Sequence, residues 1–182
     1  MSSSSGLTKI LALSAVALAS WLMLASPATA QPVARSFYQN AGASCHGINS
    51  LNEARLQRSS GRLQNTSSTT SADVVCNLMT DAFAVADGNG VVTGAWIWAR
   101  RIQIRGDNVS MTCTLSTSYA GDANGQSETK TITFPSSYGQ AVASFTPSSG
   151  KYLAPVNVRC ILPPKTELND WLLMYEEEVA PV

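Results

Sequence analysis

The chain is poor in the groups that most catalysis needs. It holds one histidine, His46, among 182 residues, and its twelve lysines and arginines are balanced by twelve aspartates and glutamates. A serine triad needs a histidine base held by a third residue; the sole candidate is His46, and no G-x-S-x-G turn is present. His46 follows Cys45 in A-G-A-S-C-H-G, which has the tail of a haem-attachment site. Gly42 stands where that site needs its other thiol. Adjacent side chains such as Cys45 and His46 are poorly placed to aim at one another as a thiol dyad. No two cysteines lie two to four residues apart, which excludes the usual zinc ligand spacing. The near-zero charge excludes the concentrated positive field that nucleic acids and anionic membranes require. Helical patterns do not alternate with the strand patterns, so a parallel α/β sheet is excluded too. Neither a cofactor nor a metal is implied.

What the chain has begins with a leader. Residues 1–30 carry one charge, Lys9, then an apolar run from Ile10 to Ala25, then Pro27 and the small-residue triplet Ala28-Thr29-Ala30. This is the form of a cleaved signal peptide, with cleavage after Ala30. The run is shorter than the roughly 20 residues that span a bilayer, so no membrane anchor is expected after cleavage. About 150 residues remain, the size of one domain. Export places the product in the periplasm or outside the cell.

All four cysteines, Cys45, Cys76, Cys113 and Cys160, fall in this exported part. An even count in an oxidising compartment predicts two disulfides. Three pairings are open. Cys160 lies in A-P-V-N-V-R-C-I-L-P-P (154–164), where Val156, Val158, Cys160 and Leu162 share one face of a strand bounded by prolines. Cys113 lies in N-V-S-M-T-C-T-L-S (108–116) with Val109, Met111 and Leu115 on its face and Ser110, Thr112, Thr114 and Ser116 on the other. Two inward thiols on two half-buried strands favour Cys113 with Cys160, leaving Cys45 with Cys76.

Alternation of this kind recurs along the chain. Residues 31–71 are polar and weakly periodic, with one helical turn predicted within 49–58 and a Ser/Thr loop at 65–71; the segment is expected to pack on the core. Val74, Cys76 and Leu78 open the first clear strand. Asn89-Gly90 and Asn124-Gly125 are hairpin signals, because both central residues of a type I′ turn need positive φ. In 91–105, Trp96, Trp98, Ile102 and Ile104 share parity and are expected in the core, which would also turn Arg100 inward unless a bulge near 99–101 intervenes. Ile132 and Phe134, then Val142, mark further strands. Residues 168–176 form a last strand or a short helix, with 179–182 as a tail. Seven or eight strands with a turn every 8 to 12 residues predict an all-β, single-domain antiparallel β-sandwich over 72–178, stapled by two disulfides.

For function the sequence offers two leads. Asp87, Asp107 and Asp122 sit in turns, where aspartate beside glycine is the ordinary choice. As loop carboxylates they leave open a polysaccharide hydrolase. Neither D-G-N-G-V-V nor D-A-N-G-Q-S has the pattern of a calcium loop. The aromatic residues Trp96, Trp98, Trp171, Tyr119, Tyr138 and Tyr152 are the better lead, since flat rings beside polar groups suit carbohydrate.

The signal sequence, the A-S-C near the mature start, N-T-S-S-T-T-S-A-D-V-V-C-N-L, V-S-M-T-C-T-L and V-R-C-I-L-P-P together resemble small exported, four-cysteine, β-rich proteins of Gram-negative bacteria with no assigned activity. The likeness runs from about Ser44 to Glu176. It implies export and a disulfide-bonded β-fold, and it supplies no catalytic residue. The expectation is a non-catalytic structural or binding module whose partner is a glycan or a cell-surface protein. The alternatives are a dedicated carbohydrate-binding module or a hydrolase.

Overall fold

The computed structural model describes residues 31–78, 91–102, 109–117, 127–134, 139–146, 152–153 and 156–179. Two antiparallel sheets are stacked over a shared apolar core. Sheet B is built around β11 (Val156–Leu162), which pairs on one side with β5 (Ala72–Leu78) and on the other with β7 (Val109–Thr117). The short β2 (Cys45–Gly47) and β8 (Ser127–Phe134) form its edges. Its strands alternate as their sequences require: Val74, Cys76, Met111, Cys113, Leu115, Val158, Cys160 and Leu162 are buried, and the residues between them face out.

Register puts Cys45 directly opposite Cys76 and Cys160 directly opposite Cys113. Both pairs are disulfide-bonded, the pairing favoured from the inward faces of the Cys113 and Cys160 strands, with Cys45–Cys76 as the remainder. Each bridge joins neighbouring strands of one sheet rather than the two sheets. Together they clamp β2 to β5 and β7 to β11 from the core side.

Sheet A is centred on β6 (Val91–Arg101) and β12 (Thr166–Val179). Beyond β6 lie β9 (Gln140–Phe145) and β10 (Tyr152–Leu153); beyond β12 lie β1 (Gln31–Asn40) and β4 (Arg62–Asn65), with β3 (Leu56–Ser59) outermost. The described residues thus hold twelve strands, more than the seven or eight expected. The difference comes mainly from 31–71, which does not lie on a finished core but supplies β1 to β4 to both sheets. Its helical turns are α1 (Ala41–Ser44) and α2 (Ser50–Glu53), the latter capped by the Asn49 side chain accepting from the Asn52 N–H. β3 and β4 are joined by Ser60-Gly61, both at positive φ (50° and 79°), a two-residue hairpin turn. The hairpins expected at Asn89-Gly90 and Asn124-Gly125 lie outside the described residues. Residues 168–176 belong to strand β12, not to a helix.

The parity expected for β6 is reversed. Ala95, Ile97, Ala99 and Arg101 face the core, while Trp96, Trp98 and Arg100 face out. Volume decides this. Register sets Ala95 between Phe145 and Leu173, Ile97 beside Trp171, and Ala99 between Ala141 and Leu168. The inner side of β6 must therefore be small where its neighbours are large, and two more indoles could not fit there. No bulge lies in β6 at 99–101; the irregularity there is in β12, between Leu168 and Asp170, and it keeps both Leu168 and Trp171 in the core. A second irregularity lies in β6 at Thr93, where Met174 pairs with Gly94 and Tyr175 with Val92, so that Val92 and Ala95 are both buried.

Fully buried Asn65 ties the end of β4 to the opposite sheet. Its Nδ2 donates to the carbonyls of Thr70, Leu162 and Pro163, and its Oδ1 accepts from the Ser67 N–H. This one amide fixes the 65–71 loop over the exit of β11.

Candidate functional site: an aromatic face on sheet A

Reversing β6 brings its aromatic residues to the surface. On the outer side of sheet A, Trp98 stands between Val142 of β9 and Asp170 of β12, and Trp96 between Ser144 and Leu172. Tyr38, from β1, lies with its ring centroid 6.0 Å from that of Trp98 at an angle of 45°. Tyr38 is 60% exposed and Val142 45% exposed. Three aromatic side chains and a valine thus occupy neighbouring positions on one solvent-facing surface.

Trp96 is held flat. A Cβ placed on Gly94 would come within 2.6 to 2.8 Å of the six-membered ring of Trp96. The indole therefore lies back over Gly94, two residues earlier on the same face, and only glycine leaves room for it.

Polar groups ring this surface. The Tyr38 hydroxyl donates to the Asp170 carboxylate, and partial desolvation together with that carboxylate pushes the phenol above its ordinary pKa. Next along β6, Arg100 reaches the Glu167 carboxylate at 2.7 Å, and Arg62 approaches the same carboxylate at 3.5 Å. Glu167 is 5% exposed, so the two guanidinium groups offset a carboxylate that burial alone would penalise. Gln140 pairs with Arg100 in register. The face thus combines apolar ring surfaces, an amide, a carboxylate and guanidinium groups, with no excess of either charge.

Of the aromatic residues singled out in the sequence, Trp96 and Trp98 meet here. Trp171 lies on the inner side of β12 at 1% exposure, packs on Phe37 with ring centroids 6.0 Å apart, and donates its Nε1–H to Ser44 Oγ. It is a core residue and offers no ring to a ligand. Tyr152 sits in β10 opposite Val92. Tyr119 and Tyr138 lie outside the described residues, as do Asp87, Asp107 and Asp122. Tyr38 was missed because its segment shows no clear alternation. The G-x-W-x-W spacing of Gly94, Trp96 and Trp98 was the signal available for the flat indole. His46 is exposed on the far side of the sandwich, next to its disulfide-bonded neighbour. Among the described residues, no three of histidine, cysteine, aspartate and glutamate are grouped to hold one metal ion.

No family model matches the chain, and no curated protein matches it in sequence. Solved structures with a similar course of strands include the CBM22-1–GH10 modules of Clostridium thermocellum endo-1,4-β-D-xylanase 10B complexed with xylohexaose. That match has 10% identity and a TM-score of 0.39, and covers 81% of this chain and 27% of that one. A CBM4 structure has 8% identity and a TM-score of 0.33, covering 78% and 86% of the two chains. TmCBM61 in complex with β-1,4-galactotriose has 9% identity and a TM-score of 0.31, covering 79% and 88%. The chain spans about a quarter of the length of the first of these. At such scores no function passes from them to this chain.

Proposed function

We propose that the protein is an exported, non-catalytic module that binds polysaccharide on the outer face of sheet A. Sugar rings stack on Trp98, Trp96 and Tyr38, and ring hydroxyls bond to Asp170, Arg100 and Gln140. The observation that carries this reading is the placement of both β6 tryptophans on the solvent side, with Trp96 flattened over Gly94. Both indoles are half-buried on an outer face, and the ring surface they leave in water is lost to hydrophobic burial unless a partner covers it. A sugar ring is a fitting partner: its C–H face is apolar, and its edge offers hydroxyls to the surrounding polar groups. The two disulfides suit an oxidising compartment, and residues 1–30 serve as the export signal.

Affinity electrophoresis in gels containing xylan, hydroxyethyl cellulose or galactan tests the proposal. Retardation of the wild type by at least one polymer is expected, with affinity for it reduced about tenfold in Trp98→Ala, equivalent to about 1.4 kcal/mol. Equal retardation of the Trp98→Ala protein, or none by any of the polymers, would overturn it.

A further inference from the structure

We infer a second glycan-binding face, on the outer side of sheet B, so that one molecule can bridge two polysaccharide chains. The bridging rests on the sheet A reading; the second face stands on its own observations. An open groove of 510 Å³ crosses this sheet, lined by His46, Val75, Arg159, Asn157, Thr114 and Ser116, with Ile48 as a wall. Its volume falls in the range of small-molecule sites. Strand register sets out the floor: His46, Val75, Arg159 and Thr114 form one row across β2, β5, β11 and β7, and Asn157 and Ser116 are partners in the next. The groove thus runs across the strands, a course that suits an extended chain better than a compact molecule.

Its chemistry selects the ligand class. Arg159 is held by Asp73, whose carboxylate takes its Nε at 2.8 and 3.1 Å and also its Nη2. The guanidinium charge is thereby offset, and the groove has no concentrated charge with which to attract a polyanion or a polycation. Hydroxyl, amide and imidazole groups each offer both a donor and an acceptor, which is what a sugar hydroxyl needs and what an anion does not. Val75 and Ile48 add apolar patches for C–H surfaces. Beyond the groove the same character continues to the sheet edge. Every outward pair between β7 and β8 joins two hydroxyl residues: Ser110 with Thr133, Thr112 with Thr131, Thr114 with Thr129, and Ser116 with Ser127. The ligand is therefore an uncharged, polyhydroxylated chain.

The two faces lie on the outer sides of two stacked sheets and point away from one another. A ligand bound to one leaves the other free, so two chains can be held at once.

Isothermal titration of the wild type, Trp98→Ala and the double variant Asn157→Ala/Ser116→Ala with xylohexaose, cellohexaose and galactotriose tests this, with thermal unfolding run on each to confirm folding. For at least one of the sugars, two sites are expected in the wild type and one in each variant. Wild type alone should raise the viscosity of the corresponding polymer solution. A single site lost in Trp98→Ala and unaffected by Asn157→Ala/Ser116→Ala would overturn the second face and leave the first. A single site lost only in the double variant would support the groove and remove the sheet A reading. Absence of binding to all three sugars would overturn both.

Discussion

Trp96 lies over Gly94, its six-membered ring occupying the space that any larger residue's Cβ would need. The orientation of the indole is therefore set by a missing side chain, and the two positions act as one unit. Gly94→Val should lift the ring off the sheet and weaken glycan binding by on the order of tenfold, about 1.4 kcal/mol. Valine favours strands, so stability should fall far less than a core substitution would cause. Titration calorimetry and thermal unfolding on the same sample separate the two effects.

The Cys113–Cys160 bridge closes a span of 47 residues between the two strands at the centre of sheet B. Replacing both cysteines with alanine should cost about 4 kcal/mol on the chain-entropy model, a large share of a typical domain's stability. Urea unfolding at neutral pH measures it. Loss of the Cys45–Cys76 bridge should cost somewhat less, because it closes a span of 31 residues and holds an edge strand.

Asn65 satisfies three carbonyls and one N–H from a fully buried position. Asn65→Ala would leave those groups without their partner, at about 1–3 kcal/mol. Hydrogen exchange should report the loss first at the amide of Ser67.

Glu53 gives the protein a dependence on acid. The hydrogen bond from Arg58 and then the Gly47 N–H hold its carboxyl below the usual carboxylate range. A folded value below the unfolded one means that the contribution is complete above an ordinary glutamate pKa, about 4.3. It is lost as pH falls through the folded value. Glu53→Gln should therefore be less stable than wild type near pH 7, and the two melting temperatures should converge as pH drops below about 4.

Sheet B was legible in the sequence because only one of its faces is apolar. In β7, Val109, Met111, Cys113 and Leu115 alternate with serine and threonine, and β11 also alternates around Cys160, so the inner side could be read directly and the Cys113–Cys160 pairing favoured among the three open ones. β6 offered no such contrast: A-W-I-W-A is apolar on both sides, and its direction depends on Trp171, Phe145 and Leu173 in strands distant in sequence. The irregularity at Asn169 shifts the alternation of β12 midway, which a fixed period of two cannot register. The aromatic face was obscured for the same reason. Its tryptophans were visible as residues, but their side of the sheet was set by packing volume, and Tyr38 joins them only through the pairing of β1 with β12.

The most direct test of the account is to follow the indole N–H signals of Trp96, Trp98 and Trp171 by ¹⁵N–¹H NMR during titration with xylohexaose, cellohexaose and galactotriose. The account predicts that at least one sugar shifts the Trp96 and Trp98 signals together in a saturable way, while Trp171, bonded to Ser44 in the core, stays in place. Unmoved Trp96 and Trp98 signals at saturating concentrations of all three sugars would contradict it.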